Sequence, residues 1–190
     1  MSDRSSARIE EEGDALRLDL PAAHSAGRMA RQVVRRFAEV RGIVDRELSN
    51  LELITSELLG NAVDHGGGNS AMEEDQVPPR VRMYLDLQLE SRSWRLSVSD
   101  QGGAKPEDLQ YLLDPPGGIP DLEDERGRGF FLLLDMVDSL EVEASADGKG
   151  VAFIAKRTLP EPAPEEREAD GRAADGHGAD GQEADSPEQD

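Results

Sequence analysis

The 190-residue chain contains no cysteine. That removes disulfides, iron–sulfur clusters, thiolate zinc sites and cysteine nucleophiles together. Histidine is nearly as scarce, and His24, His65 and His177 are too scattered for a histidine metal cluster. Basic residues are the minority, 21 against 41 acidic, for a net charge of −20. A general nucleic-acid binder, or a protein held on an anionic membrane, needs the opposite surplus, so neither partner is expected. No run approaches the ~20 apolar residues of a membrane span, and "MSDRSSARIEEEGD" lacks an apolar signal core. A soluble, cytoplasmic protein is the expectation.

What is present divides unevenly. From Pro160 to Asp190 eleven acidic residues stand against Arg167 and Arg172, a net −9 that leaves −11 for the rest. This stretch repeats Ala-Asp-Gly at 169–171, 174–176 and 179–181 with almost no aliphatic side chain. It cannot repay its ordering entropy and is expected to be a disordered acidic tail. The remainder reads as a flexible N-terminus over 1–13 and one domain over 14–159, long enough to bury a core.

Hydrophobic spacing orders that domain. "ALRLDLPA" alternates Leu16, Leu18 and Leu20 and predicts a half-buried strand ended by Pro21. From Ser25 to Val40, Met29/Ala30, Val33, Phe37 and Val40 recur at helical spacing, with Arg28, Arg31, Arg35 and Arg36 on the outer face. Those arginines form either a solvated face or a partner surface. A second helix is predicted from about Asp45 to Asp64, stopped by Gly66-Gly67-Gly68. "RVRMYLDLQLE" and "WRLSVSD" read as strands. Residues 101–126, rich in proline and glycine, read as a long functional loop of the lid kind. "GRGFFLLLDMVDSL" reads as a third helix, and "LEVEAS" with "GVAFIAKRTL" as a closing hairpin. The order β-α-α-β-β-loop-α-β-β implies an α+β, two-layer sandwich: a mainly antiparallel sheet with helices on one face.

Three constellations carry chemistry. In "SELLGNAVDHGGG" Glu57, Asn61 and His65 are spaced four apart, close together on one helical face. Asn61 and His65 fall beside the apolar stripe of Leu51, Ile54, Leu58 and Ala62, with Glu57 at its edge. Burying such groups without partners costs about 1–3 kcal/mol each, so they satisfy one another or a ligand reaches them. In "SDQGG", Asp100 sits just past a strand end, and Gly102 and Gly103 allow close approach of a ligand to the backbone. In "ERGRGFF", Gly127 and Gly129 open a helix whose first amides suit phosphate. Each also has a bland reading as turn, cap or solvated face. Familiar nucleotide motifs are missing: there is no GxxxxGK[ST], no HRD or VAIK beside "SDQGG", and no third glycine in "GRGFFL".

The series E-L-x-x-N-A-x-x-H, then V-x-D-x-G, then E-x-G-R-G-F-x-L-L resembles the GHKL ATPase superfamily. It is most similar to the anti-sigma-factor serine kinase branch, over about residues 15–158. The resemblance implies the histidine kinase-like ATPase fold, with ATP and Mg²⁺ bound. By it, Asn61 coordinates the metal, Asp100 accepts a hydrogen bond from the adenine amine, and Gly102 lets the base approach. Gly127, Arg128, Gly129 and Phe130 supply backbone amides to the phosphates, Glu57 is the general base, and His65 packs beneath the site. One departure stands out: where many members read D-x-G-x-G, this chain has Asp100-Gln101-Gly102-Gly103-Ala104, with the second glycine displaced.

Two functions follow from the resemblance. The first is a serine/threonine-protein kinase and anti-sigma factor that phosphorylates a STAS-type anti-anti-sigma partner and sequesters a sigma factor, as a homodimer. The second is a switch in which nucleotide sets partner affinity without phosphoryl transfer. Glu57 favours the first, because a pure binder has no evident need for a carboxylate there.

Overall fold

The computed structural model describes residues 7–66, 81–113 and 125–160, and within these the side chains of 65, 66, 125–129 and 131 are not described. Six strands form one sheet in the order β1-β2-β3-β4-β6-β5, with every neighbouring pair antiparallel. The strands are β1 (Arg8–Glu12), β2 (Ala15–Pro21), β3 (Arg82–Glu90), β4 (Ser93–Ser99), β5 (Ser139–Ala144) and β6 (Val151–Thr158). The helices are α1 (His24–Val40), α2 (Asp45–Gly66), α3 (Pro106–Leu113) and α4 (Glu125–Met136).

Alternation makes the sheet two-faced. Leu16, Leu18 and Leu20 on β2 share the buried face with Met83, Leu85, Leu87 and Leu89 on β3 and Trp94, Leu96 and Val98 on β4. Each such side chain contributes about 1.5–3 kcal/mol by leaving water. Helix α1 meets them with Ala26, Ala30, Val34, Phe37 and Ala38, and α2 with Leu51, Ile54, Leu58 and Ala62. The α2 stripe is the predicted one. The α1 stripe is displaced from its prediction: Met29 and Val33 are only partly buried, and Val40 is 75% exposed. The helix ends there because Gly42 adopts φ +85, its N–H bonding Glu39 O while the Ile43 N–H reaches back to Ala38 O.

Two elements correct the sequence reading. The N-terminus, expected to be flexible through residue 13, supplies β1 from Arg8, and Gly13 (φ +57) turns the chain into β2. The expected loop over 101–126 contains α3, opened by Pro106 with Glu107 and Asp108 in its first turn. Residues 114–124 of that loop, Gly67 and Gly68 of the glycine run, and the acidic segment from 161 onward lie outside the described residues. The compact unit built from the described elements ends at Leu159. Among the described residues no helix is long and apolar enough to cross a membrane.

Candidate functional site

The end of β4 delivers Asp100 into the interior. Its N–H continues the ladder to Val151 O on β6 at 3.0 Å, and its Oδ1 accepts the Gly102 N–H at 2.8 Å. The residue is only 6% exposed. A carboxylate this buried is costly unless hydrogen-bonded, and here the chain folds back at once to bond it. Gly103 makes that turn possible with φ +79. The displaced second glycine is therefore the one that adopts the left-handed conformation, where a side chain would be strained.

Asp100 faces a cavity of about 80 Å³ that the sequence never brings together in one place. Asn61 comes from α2, Leu109 and Leu112 from α3, Phe130 from α4, and Val151 and Phe153 from β6. Phe130 packs against Phe153 with ring centroids 5.0 Å apart at 48°. A carboxyl acceptor among mainly apolar walls, with Asn61 and Tyr111 the other polar side chains, suits a planar heteroaromatic ring carrying an amino group. Asn61 is partly buried at the cavity, and Glu57, one turn earlier on the same helix, is also partly buried but does not line it. Helix α4 begins at Glu125, two residues before its predicted start. Gly127 thus lies in its first turn, where amides lack intrahelical acceptors, and Arg128 and Gly129 follow. The buried Phe130 fixes that helix to the core.

Of the predicted site residues, Asn61, Asp100 and Phe130 meet at this cavity and Gly102 holds Asp100 in place. Glu57 and the Gly127–Gly129 backbone belong to the elements that flank it. The side chain of His65 is outside the described residues. Among the described residues no group of three or more His, Asp or Glu could hold a metal by itself.

Sequence reasoning missed Gly150, Val151 and Phe153. Gly150 packs so tightly on Asp100 that a Cβ placed there would stand 2.6 Å from the Asp100 carbonyl oxygen and closer still to Oδ1. The only sequence signal was a second glycine, after Lys149, that the Asp147-Gly148 turn did not need. The arginine face of α1 is partly engaged within the fold. Arg35 pairs with Glu52 at 2.6 Å, and Arg31 donates to Ser56 Oγ at 3.3 Å. Beside them, Arg28 and Arg31 border a groove of about 200 Å³ between α1 and α2.

Comparison with known proteins agrees with this architecture. Residues 20–155 match the histidine kinase-like ATPase domain family. The chain is 28% identical over 143 residues to the serine-protein kinase RsbW of Bacillus pumilus, covering 73% of this chain and 83% of that protein. It is also 30% identical over 113 residues to a Drosophila melanogaster protein described as polypeptide N-acetylgalactosaminyltransferase 9. That match takes in 54% of this chain but only 17% of the fly protein, so it carries no activity across. The match to RsbW supports the serine kinase branch that the motifs resemble. By that match, which runs from the end of β2 into β6, the chain belongs to the histidine kinase-like ATPase domain family.

Proposed function

We propose that this protein is an ATP-dependent serine-protein kinase that phosphorylates a STAS-type anti-anti-sigma partner and, as an anti-sigma factor, sequesters a sigma factor. The observation that carries the reading is the buried Asp100 as the one carboxyl of a mainly apolar cavity that it shares with Asn61 and Tyr111. Adenine offers an exocyclic amine to such an acceptor, whereas guanine offers a carbonyl. The relative named a serine-protein kinase supports the phosphoryl acceptor class. The groove beside Arg28 and Arg31, basic in so acidic a chain, supports a protein partner with an acidic face.

The donor set fits Mg²⁺. An amide oxygen at Asn61, with phosphate oxygens and water completing the shell, is the sparse protein ligation this hard ion accepts. When bound, the ion neutralises charge on the transferred phosphoryl group. The chain's own residues do the rest: Asp100 orients the base, the first-turn amides of α4 hold the phosphates, and Glu57 takes the proton of the attacking serine hydroxyl.

One observation favours a second reading, the nucleotide-dependent binding switch. Helix α3 contributes Leu109 and Leu112 to the cavity yet has no fully buried residue, so a nucleotide filling the cavity would add to its anchoring. Both readings require adenine recognition. ATP and ADP with Mg²⁺ should raise the melting temperature and GTP should not. Asp100→Asn should abolish the shift while the apo protein stays folded. Equal stabilisation by GTP would sink both readings. Transfer of labelled γ-phosphate to a serine of a STAS partner then selects the kinase, and nucleotide-dependent binding without transfer selects the switch.

A further inference from the structure

The loop that carries Asp100 is fastened to the turn between β5 and β6 by a side chain with no role so far. Gln101 Oε1 accepts the Arg82 N–H at 3.2 Å, and its Nε2 donates to Asp147 Oδ2 at 2.6 Å and to the Tyr84 hydroxyl at 3.4 Å. Asp147 is itself held. Its Oδ1 accepts from Ser145 Oγ at 2.9 Å and from the Lys149 N–H at 3.1 Å, and Ser145 Oγ in turn accepts the Gly150 N–H at 3.0 Å. The Gly103 N–H closes the far side onto Lys149 O at 2.8 Å. Asp100 is thus bracketed by attachments to one turn, and Gly150 of that turn presses on Asp100 directly.

We propose that the Gln101–Asp147 hydrogen bond is a clasp that pre-orders the base-recognising loop, making Gln101 and Asp147 positioning residues for the adenine nucleotide. This rests on the adenine reading of Asp100. Two consecutive glycines, Gly102 and Gly103, follow Gln101, and such a segment surrenders much backbone entropy when a ligand fixes it. A loop already fixed in the free protein lowers that cost, which appears as affinity. The carboxyl of Asp147 is suited to the task. Burial works against its ionisation, but hydrogen bonds from the Lys149 N–H, Gln101 and Ser145, with the Lys149 charge, outweigh burial and hold its pKa below the usual value. The clasp therefore keeps its charged acceptor at neutral pH. It lies towards solvent, so its loss should loosen the loop without unfolding the sheet.

The test is calorimetric titration of the full chain with ADP. Gln101→Ala should weaken binding about 3- to 10-fold, the usual net worth of one hydrogen bond. The apo melting temperature should stay within about 2 °C. Adding Asp147→Ala should weaken binding by less than the sum of the two single losses, because both variants remove the shared Gln101–Asp147 bond. Gln101→Glu sets two carboxylates face to face and should be worse than Gln101→Ala. Combining it with Asp147→Asn restores a donor–acceptor pair and should recover most of the affinity. Amide exchange at Gly102 and Gly103 should accelerate in Gln101→Ala and slow again in the exchanged pair. Unchanged affinity in Gln101→Ala, with Asp100→Ala still abolishing binding, overturns the clasp alone. Additive losses without rescue overturn it too, leaving a merely structural contact. A wild type that binds no ADP overturns the adenine reading and the clasp together.

Discussion

The two halves of the candidate site are built by different means. The Asp100 half hangs on adjacent strands: β4 and β6 pair from Ser93↔Thr158 to Ser99↔Ala152, and the ladder continues through the Asp100 N–H. Each group there is held by backbone bonds, and Gly150 leaves no slack. The other half is carried by helices. Asn61 and Glu57 ride on the well-buried α2, while α3 lies against the cavity with no fully buried residue. On the adenine reading, selection of the base falls to the hydrogen-bonded end of the sheet, and adjustment around it to the helix with no fully buried residue. Segments that must move are drawn from the low-stability end of a structure.

If that division is real, the halves should fail separately. The largest effect is expected at Glu57. Glu57→Gln keeps the size of the side chain but cannot accept a proton, so phosphoryl transfer should fall roughly 10²- to 10⁴-fold, the usual worth of a positioned base. ADP affinity, measured by titration, should barely change. Transfer near the wild-type rate would mean that the carboxylate is structural.

Gly150→Ala should show the converse. Its methyl group collides with Asp100, and overpacking of this kind costs about 1–3 kcal/mol. If the strain is relieved by moving Asp100, ADP binding weakens by about 5- to 150-fold. Intact affinity would show that the β4–β6 end is softer than its hydrogen bonds imply.

The smallest effect belongs to Asp138, in the bend just before β5 and not among the residues that line the cavity. Asp138 accepts the Thr158 N–H at 2.6 Å. Hydrogen bonding from the Thr158 side chain first, and from its N–H second, holds the Asp138 carboxyl below its ordinary pKa, more than the nearby Arg157 does. A lowered folded-state pKa gives stability that is present above the unfolded value and lost as pH falls through the folded one. Asp138→Ala should therefore lower the melting temperature by a few degrees at most near pH 7, and the gap to wild type should close below about pH 4. Nucleotide affinity should not respond. A loss of affinity would break the separation from the far side.

Much of this was legible because burial imposes a period. Leu16, Leu18 and Leu20 could only be one face of a strand, and Leu51, Ile54, Leu58 and Ala62 only one stripe of a helix. The elements that escaped lack that constraint. Strand β1, Arg-Ile-Glu-Glu-Glu, is exposed at every position, so nothing in its pattern distinguishes an edge strand from a tail. Helix α3 buries none of its eight residues completely and sits among prolines and glycines that read as loop. At the site, the order of motifs was enough to gather Asn61, Asp100 and Phe130. Gly150 and Gln101 were not legible in the same way. Their roles depend on which turn lies against Asp100, and that follows from β6 inserting between β4 and β5.

That insertion also orders events in time. The neighbours β4 and β6 are joined through the whole of α3, α4 and β5, so their pairing is among the most sequence-distant contacts in the sheet. Closing so long a loop is slow, and contacts that depend on it form late in folding. During synthesis, Val151 and Phe153 also leave the ribosome after the other five strands of the sheet. A chain still being made, or stalled short of β6, has Asp100 but no wall opposite it. On the adenine reading, nucleotide should bind only once β6 is in place, and should from then on stabilise the fold by mass action.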